Sequence, residues 1–487
     1  MQRHGTILCR IFMRQNRVPR IFVNEKTITC ERNPAMKNMH TWLRLSCFGW
    51  LLLYWPLAYS DIEIVIDISA ASNTPEVAVA AGFEAMCPKI IPIETNDPNL
   101  QQLQAICNAL DNASVEQKEQ AYRAMSARSN TSQTSVTTKG PGAEPMQLIG
   151  KRLAALRKAA QNAQSKVSLN SPYYPIALSD EQIAEVFDQA TGGGASADKY
   201  SRLSGFLTAM AYNSEQKETQ TLAGFHGNSI SAVLGLDYRF TDKIFAGIAG
   251  RYSQSEVDLN QNVGTMDADD VNLTLYSTYY PGQDWYVEGT VHYGQGKFDL
   301  TREIEFTLPT PANTIDETAN SSTDGNQYGV SVGGGYEWVF QDGAVSEISG
   351  GLHYRQTTID AYSETGAGGL NLHLTEQNID SLQFRLGTQL SKAASYSWGV
   401  LLPQINLNWV YEFMQDGEKI QARFVSDPTN TNFAFTTDDK DPSYFTIALG
   451  LVSVFPGGFT AYIQGESFLQ LDNYSQRVWS LGARWEF

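Results

Sequence analysis

From about residue 203 to the end of the chain, apolar side chains take every second place over runs of ten or more residues. Ala232, Leu234, Leu236, Tyr238 and Phe240 alternate with Ser231, Gly235, Asp237 and Arg239. Ile405, Leu407, Trp409, Tyr411 and Phe413 alternate in the same way with Gln404, Asn406, Asn408 and Glu412. Val271, Leu273 and Leu275, and Leu382, Phe384, Leu386 and Leu390, repeat the pattern. A period of two puts one face of each strand in an apolar medium and the other against water. Strands of soluble sandwiches average about five or six residues. Runs this long that end in aromatics fit strands crossing a bilayer, where the apolar face is turned to lipid. No stretch after residue 60 is apolar over the roughly 18 residues that a membrane helix needs.

The turn signals support closure into a barrel. Thr241-Asp242-Lys243, Tyr280-Pro281-Gly282-Gln283, Gln341-Asp342-Gly343 and Pro456-Gly457-Gly458 are tight, whereas Leu259 to Asp267, Thr307 to Gly325, Ser363 to Gln377 and Gln415 to Pro442 read as long polar loops. Short turns at one end and long loops at the other are the asymmetry of outer-membrane barrels. The expected fold is an all-β transmembrane barrel of about 12 antiparallel strands over residues 202–487, preceded by a short, mainly α-helical region and a pore or linker helix. In the last strand Trp479, Leu481, Ala483, Trp485 and Phe487 share one face and the sequence ends on the aromatic. This looks like the C-terminal signal read by the barrel assembly machinery.

Upstream, residues 1–60 read as a leader, with translation starting at Met36 or Met39. Lys37 and Arg44 form the basic segment, Leu45 to Leu57 the apolar core, and Ala58-Tyr59-Ser60 the cleavage site, so that the exported chain starts at Asp61. Of five cysteines only Cys87 and Cys107 lie beyond the leader, which points to one disulfide in an oxidising compartment. Around them Val79, Phe83 and Met86 form one helical stripe and Leu103, Ile106 and Leu110 another. Residues 61–145 are therefore expected to hold a small disulfide-bonded unit followed by the flexible Ser/Thr/Gly-rich linker Ser129 to Pro145. Residues 146–201 carry two further helical patterns. One has Lys151, Arg152, Arg157 and Lys158 on its polar face, and the other follows Ser179 through Ala190.

The segments Ser231 to Phe240 (SAVLGLDYRF), Lys243 to Tyr252, Arg152 to Arg157 (RLAALR) and the terminal SLGARWEF resemble the autotransporter (type V secretion) β-domain family over roughly residues 151–487. The resemblance implies a twelve-stranded anchor in the outer membrane of a Gram-negative bacterium, a helix in the pore and an N-terminal region carried outside. It also implies outer-membrane lipid, the barrel assembly machinery and periplasmic chaperones as partners. The helix bearing Lys151, Arg152, Arg157 and Lys158 is the candidate plug; the helix near Glu181 to Ala190 is the alternative. Parity places Glu288, Glu337, Glu412, Glu466, Glu486, Arg239, Arg385 and Arg484 toward the lumen, where the acids could meet the cations of such a helix.

The formal charge is −17, and residues 1–60 hold nine of the Lys/Arg and two of the Asp/Glu, leaving 26 cations against 50 acids. Nucleic acid is not an expected partner. Between Asp61 and Pro145 there is no histidine and no GxSxG, so an enzymatic N-terminal unit is not expected. A rim-type catalytic site would have to draw on Asp269-Asp270, Asp438-Asp439, His353 or His373, which read more simply as solvated loop residues. No phosphate-binding or metal-binding motif is present, and no cofactor is expected. Two functions stay open: an autotransporter translocator that exports or displays its own short N-terminal region, or a plugged channel with a periplasmic N-terminal module.

Overall fold

The computed structural model describes residues 74–130 and 202–487, apart from 242, 283, 341–343 and 457. The leader, the cleavage site at Ala58, Ser60 and Asp61, and both candidate plug helices, including Lys151, Arg152, Arg157 and Lys158, lie outside the described residues.

Twelve long antiparallel strands close on themselves. In chain order they are β1 (Leu203–Gln216), β2 (Phe225–Thr241), β3 (Ile244–Leu259), β4 (Gly264–Tyr279), β5 (Trp285–Thr307), β6 (Thr314–Val339), β7 (Ala344–Ile359), β10 (Gln377–Lys392), β12 (Gly399–Glu412), β15 (Ser443–Phe455), β16 (Phe459–Leu469) and β17 (Tyr474–Glu486). Each pairs with its sequential neighbour, and β1 closes the barrel on β17 with Ser204 opposite Glu486 and Gln216 opposite Tyr474. Closure leaves no unpaired edge in the lipid. Among the described residues no helix is long and apolar enough to cross a membrane.

The outward parity is the apolar one: Leu234 is 65% and Leu481 61% exposed. These surfaces face acyl chains. Tyr252, Tyr293, Tyr328 and Tyr354 mark the upper edge of the belt, and Tyr238, Trp285, Trp338, Trp398 and Trp485 the lower edge, where amphipathic rings suit the headgroup region. The ends at which β2 meets β3, β4 meets β5, β6 meets β7 and β15 meets β16 lie at the lower edge, with the start of β1 and the end of β17.

At the opposite end the segments expected as plain loops are structured. β6 begins at Thr314, so residues 314–325 extend the β5–β6 hairpin above the membrane instead of forming a loop. The interval from Leu259 to Asp267 likewise shrinks to a short connection, since β3 runs to Leu259 and β4 resumes at Gly264. Outside the lipid no apolar outward face is needed, so the polar sequence disguises the strand; only the inward Ile315 and Ala319 keep the signal. Residues 359–377 and 412–443 contribute β8 (Tyr362–Ser363), β9 (Leu372–Leu374), β13 (Lys419–Phe424) and β14 (Phe433–Thr436), a separate four-stranded sheet. A three-residue strand, β11 (Ala394–Tyr396), extends the β10–β12 turn.

Three helices form a cap on this sheet. α1 (Pro75–Ile90) and α2 (Pro98–Asp111) begin with Pro after the caps Thr74 and Asp97, and α3 (Val115–Met125) begins with a capping box from Ser114 and Gln117. The expected stripes are buried: Val79, Phe83, Met86, Leu103 and Ile106 are each 1% exposed or less. α3 was not anticipated as a separate helix, because it buries only Ala121 and Met125 and its apolar period is short.

Candidate functional site

The cap and the mouth of the barrel share one apolar core. Phe83 of α1 packs edge-on against Phe424 of β13, with ring centroids 5.0 Å apart, and Gly82 lies against the ring of Phe433 on β14. Leu103 of α2 meets the Gly368–Leu370 turn, where Gly369 comes so close to the Asn99 carbonyl that a side chain there would collide. Three short helices bury little apolar surface among themselves, so a core of this size is marginal alone. The platform completes it with Leu370, Leu372, Leu374, Ile420, Phe424 and Phe435.

Polar bonds fix the orientation. Gln102 donates to Glu317 of β6 at 3.1 Å and accepts from the Gly369 amide at 2.8 Å. Arg128 pairs with Glu76 at 3.2 Å and with Glu218 of the β1–β2 loop at 3.0 Å. At the centre Arg302 of β5 grips Glu364 through two bonds of 2.6 and 3.0 Å, with both side chains 3% exposed or less. Asn130 also donates to Glu364, at 3.2 Å, and Arg302 to the Ala124 carbonyl at 3.4 Å, so this node joins cap, barrel and platform. Burial raises the pKa of Tyr362, which accepts from Asn130, above the ordinary phenol range, and burial beside Glu84 and Asp111 pushes Tyr122 up to about 12.

Cys87 and Cys107 form the disulfide that ties α1 to α2 across a separation of 20 residues. A loop of that size is worth about 3 kcal/mol through the unfolded chain. Replacing both cysteines by serine is expected to lower the stability of the cap by about that amount. The loss should appear as faster protease digestion of residues 74–130 in purified protein, with the barrel unaffected.

Below the cap the inner wall mixes charged and polar side chains with a buried cluster that includes Phe206, Tyr212, Phe245, Tyr276 and Tyr286. Parity places Glu288, Glu337, Glu412, Glu466, Glu486, Arg239, Arg385 and Arg484 on that wall as expected, joined by Asp237, Arg251, Asp270, Glu347, His292, His353 and Arg355. Arg251 pairs with Asp270 at 2.5 Å, and Tyr286 donates to Glu347 at 2.7 Å. Glycines let large inward side chains lie flat on the neighbouring strand, as Phe206 does over Gly235 and His292 over Gly329. A wall with charges of both signs can pass or hold a hydrated polypeptide without fixing its sequence.

The catalytic candidates do not come together. Asp269 and Asp270 point to opposite sides of the wall, Asp269 accepting from Tyr252 outside and Asp270 from Arg251 inside, so they form no dyad. Asp438 accepts from Thr221 at 2.6 Å and Asp439 from the Gly417 amide at 3.0 Å, bracing loops. His353 sits on the lumen face of β7, away from that rim. His373 lies 2.8 Å from the Ser363 hydroxyl, but its cross-strand partner is Arg423 rather than a carboxylate, and burial followed by Arg423 lowers its pKa. Trp479, Leu481, Ala483, Trp485 and Phe487 line the lipid face of the closing strand, where the Phe487 amide bonds the Leu203 carbonyl at 3.2 Å.

The Arg302–Glu364 node and the platform were missed in the sequence. The signal was there in the alternation of Leu370, Leu372 and Leu374, of Ile420, Ala422 and Phe424, and of Phe433 and Phe435 within segments read as polar loops.

Outer membrane protein A of Rickettsia conorii is 24% identical over 243 residues, which is 48% of this chain and 12% of that protein. Outer membrane protein B of Rickettsia prowazekii is 22% identical over 269 residues, 52% of this chain and 16% of that protein. The chain thus matches only a small part of the length of these relatives. Among solved structures, the translocator domain of the autotransporter NalP from Neisseria meningitidis aligns with 59% of this chain and 90% of that one, at 16% identity and a TM-score of 0.47. The β-domain of the Bordetella autotransporter BrkA aligns with 59% of this chain and 100% of that one, at 13% identity and a TM-score of 0.42. The Autotransporter beta-domain family model matches residues 205–466, more than half of the sequence, and with it the chain belongs to the autotransporter β-domain family as an outer-membrane protein of the Gram-negative type.

Proposed function

We propose that this autotransporter translocator exports its own short N-terminal region through the barrel and displays it as a cap on the cell surface. The observation that carries the reading is the position of two points in the chain. Asn130 is bonded to Tyr362 and Glu364 at the long-loop end, whereas the Arg202 carbonyl accepts from Arg239 at the tight-turn end, where β1 starts. Residues 131–201 must join the two ends. The outside of the barrel is an apolar belt in lipid, and the lumen is the hydrated route.

Within this reading residues 1–60 are the leader, cut between Ser60 and Asp61 after the Ala58-Tyr59-Ser60 site. Residues 61–145 comprise the displayed region and its linker, 146–201 the segment that threads the pore, and 202–487 the anchor. Lys151, Arg152, Arg157 and Lys158 match the acids of the lumen wall in charge. The face formed by Trp479, Leu481, Ala483, Trp485 and Phe487 supplies the signal for the barrel assembly machinery after transit with periplasmic chaperones. Outer-membrane lipid solvates the belt.

An epitope inserted between Ser129 and Pro145 tests the proposal. Antibody labelling of intact cells is the expected result. Labelling only after the outer membrane is permeabilised overturns it and leaves the plugged channel with a periplasmic module.

A further inference from the structure

The lipid face is not uniformly convex. At the seam where β1 closes on β17, a trough of about 470 Å³ is floored by Ala209, Ala211 and Ala232 and walled by Trp479 and Leu481 on one side and Ile230 and Tyr252 on the other. The small residues make it: Ala211 stands opposite Trp479 and Ala209 opposite Leu481, so the short side chains of β1 leave space beside the large ones of β17. Trp479 is held over Gly465 of β16, where a side chain would meet the indole ring at 2.9 Å, which fixes one wall. The trough lies within the belt, so it is reached from the acyl-chain region.

Its upper end is polar. One pleat above Trp479 on the same face of β17 is the exposed Arg477, paired across the strands with Asn213. Asn213 donates to Asn228 at 2.6 Å, and one pleat lower Gln254, opposite Ile230, donates to Asp269 at 3.1 Å. Arg477 makes no ion pair among the described residues. Of the acids on this face, Glu215 belongs to the next pleat up, toward the loops, and Glu256 ends the row of Arg477, Asn213 and Asn228 three strands away on β3. Lys297, a cation at comparable height on β5, is instead engaged by Asp299 at 3.0 Å. An apolar trough ending in the exposed guanidinium of Arg477 beside the amides of Asn213 and Asn228 is complementary to one class of molecule: a chain of methylenes ending in a phosphate, which Arg binds through charge-assisted hydrogen bonds.

We infer that the β1–β17 seam holds a phosphorylated lipid of the outer leaflet, with an acyl chain along Ala209, Ala211 and Trp479 and its phosphate on Arg477. Neither barrel closure nor export of the N-terminal region requires this site. It would place a lipid across the junction of the first and last strands, where Ser204 pairs with Glu486.

The test uses the full-length protein in phosphatidylcholine vesicles doped with either brominated phosphatidylglycerol or brominated phosphatidylcholine, because bromine quenches tryptophan on contact. The chain has nine tryptophans, so the Trp479 signal is the difference between the protein and its Trp479→Phe variant. One cation near a membrane surface contributes about 1 kcal/mol, so quenching of Trp479 by the anionic brominated lipid is expected at about fivefold lower lipid fraction than by the zwitterionic one. Arg477→Gln should abolish that preference, and Ala211→Phe, which fills the trough, should reduce quenching by both lipids. Equal quenching by the two lipids in the unmodified protein, or a preference unchanged by Arg477→Gln, overturns the inference. Arg477 is exposed, so its replacement leaves the barrel assembled, which heat-modifiable migration in gels verifies.

Discussion

Replacing Glu364 with alanine is expected to release the helical cap while leaving the barrel closed. Glu364 is 1% exposed at its side chain and accepts from Arg302 twice, from the Leu372 amide at 2.8 Å and from Asn130. The substitution strands the Arg302 guanidinium in a site from which water is excluded, and removing one partner of a buried pair costs about 3–5 kcal/mol. The same change orphans an amide of the platform and a side chain of the cap, so the loss falls on their junction. Limited proteolysis of the purified protein should show residues 74–130 becoming sensitive by two orders of magnitude or more, as about 3 kcal/mol requires. The double replacement Arg302→Met with Glu364→Leu should recover much of the protection, because a buried pair exchanged for apolar groups of similar volume is often neutral. If Glu364→Ala alone leaves the cap protected within a few fold, the node does not hold the mouth together.

Replacing Phe83 with alanine should have a comparable effect by a different route. Its ring is 1% exposed and touches Phe424 of the platform as well as Tyr122 of α3 at 6.2 Å. Phe→Ala in a close-packed core costs about 3–5 kcal/mol, part transfer and part cavity. The informative comparison is Phe424→Ala, a change in a surface loop of the barrel. With a shared core it destabilises the cap as well, and the double mutant is less than additive by about 1 kcal/mol, the worth of an aromatic pair beyond its area. Strict additivity would mean that the cap folds by itself and merely rests on the loops. Protease protection of the cap, measured against urea, gives all four corners of the cycle.

The barrel was legible because lipid imposes a rule. Lipid-facing positions of a strand are mostly apolar and charges are kept to the lumen side, so Leu234, Leu236 and Tyr238 could be assigned to one face and Asp237 and Arg239 to the other from parity alone. Where lipid ends, that rule ends. The upper halves of β5 and β6 carry Glu303, Glu305, Asp316 and Asp324 on the outside, and their strand character rests on inward residues such as Ile304, Phe306 and Ile315, which face the cap. The stripes of α1 and α2 and the Cys87–Cys107 bond were readable locally. Their destination was not, because nothing in Phe83 or Leu103 names Phe424 or Leu370, some 340 and 270 residues away, as the surface that buries them. The pairing of Arg302 with Glu364 is of the same kind: two ordinary charges in polar segments, made decisive by burial that only the tertiary fold supplies.

The central claim is that residues 74–130 sit on the outer mouth of the barrel in the native membrane, and the contact between Gln102 and Glu317 tests it most directly. Gln102→Lys puts an amine within reach of a carboxylate that its own amide now meets at 3.1 Å. Treating intact cells with a membrane-impermeant carbodiimide should join the two side chains into one branched peptide, detected by mass spectrometry after digestion and absent when Glu317 is also changed to Gln. A cross-link that forms only after the outer membrane is opened, or that never forms, would contradict the account.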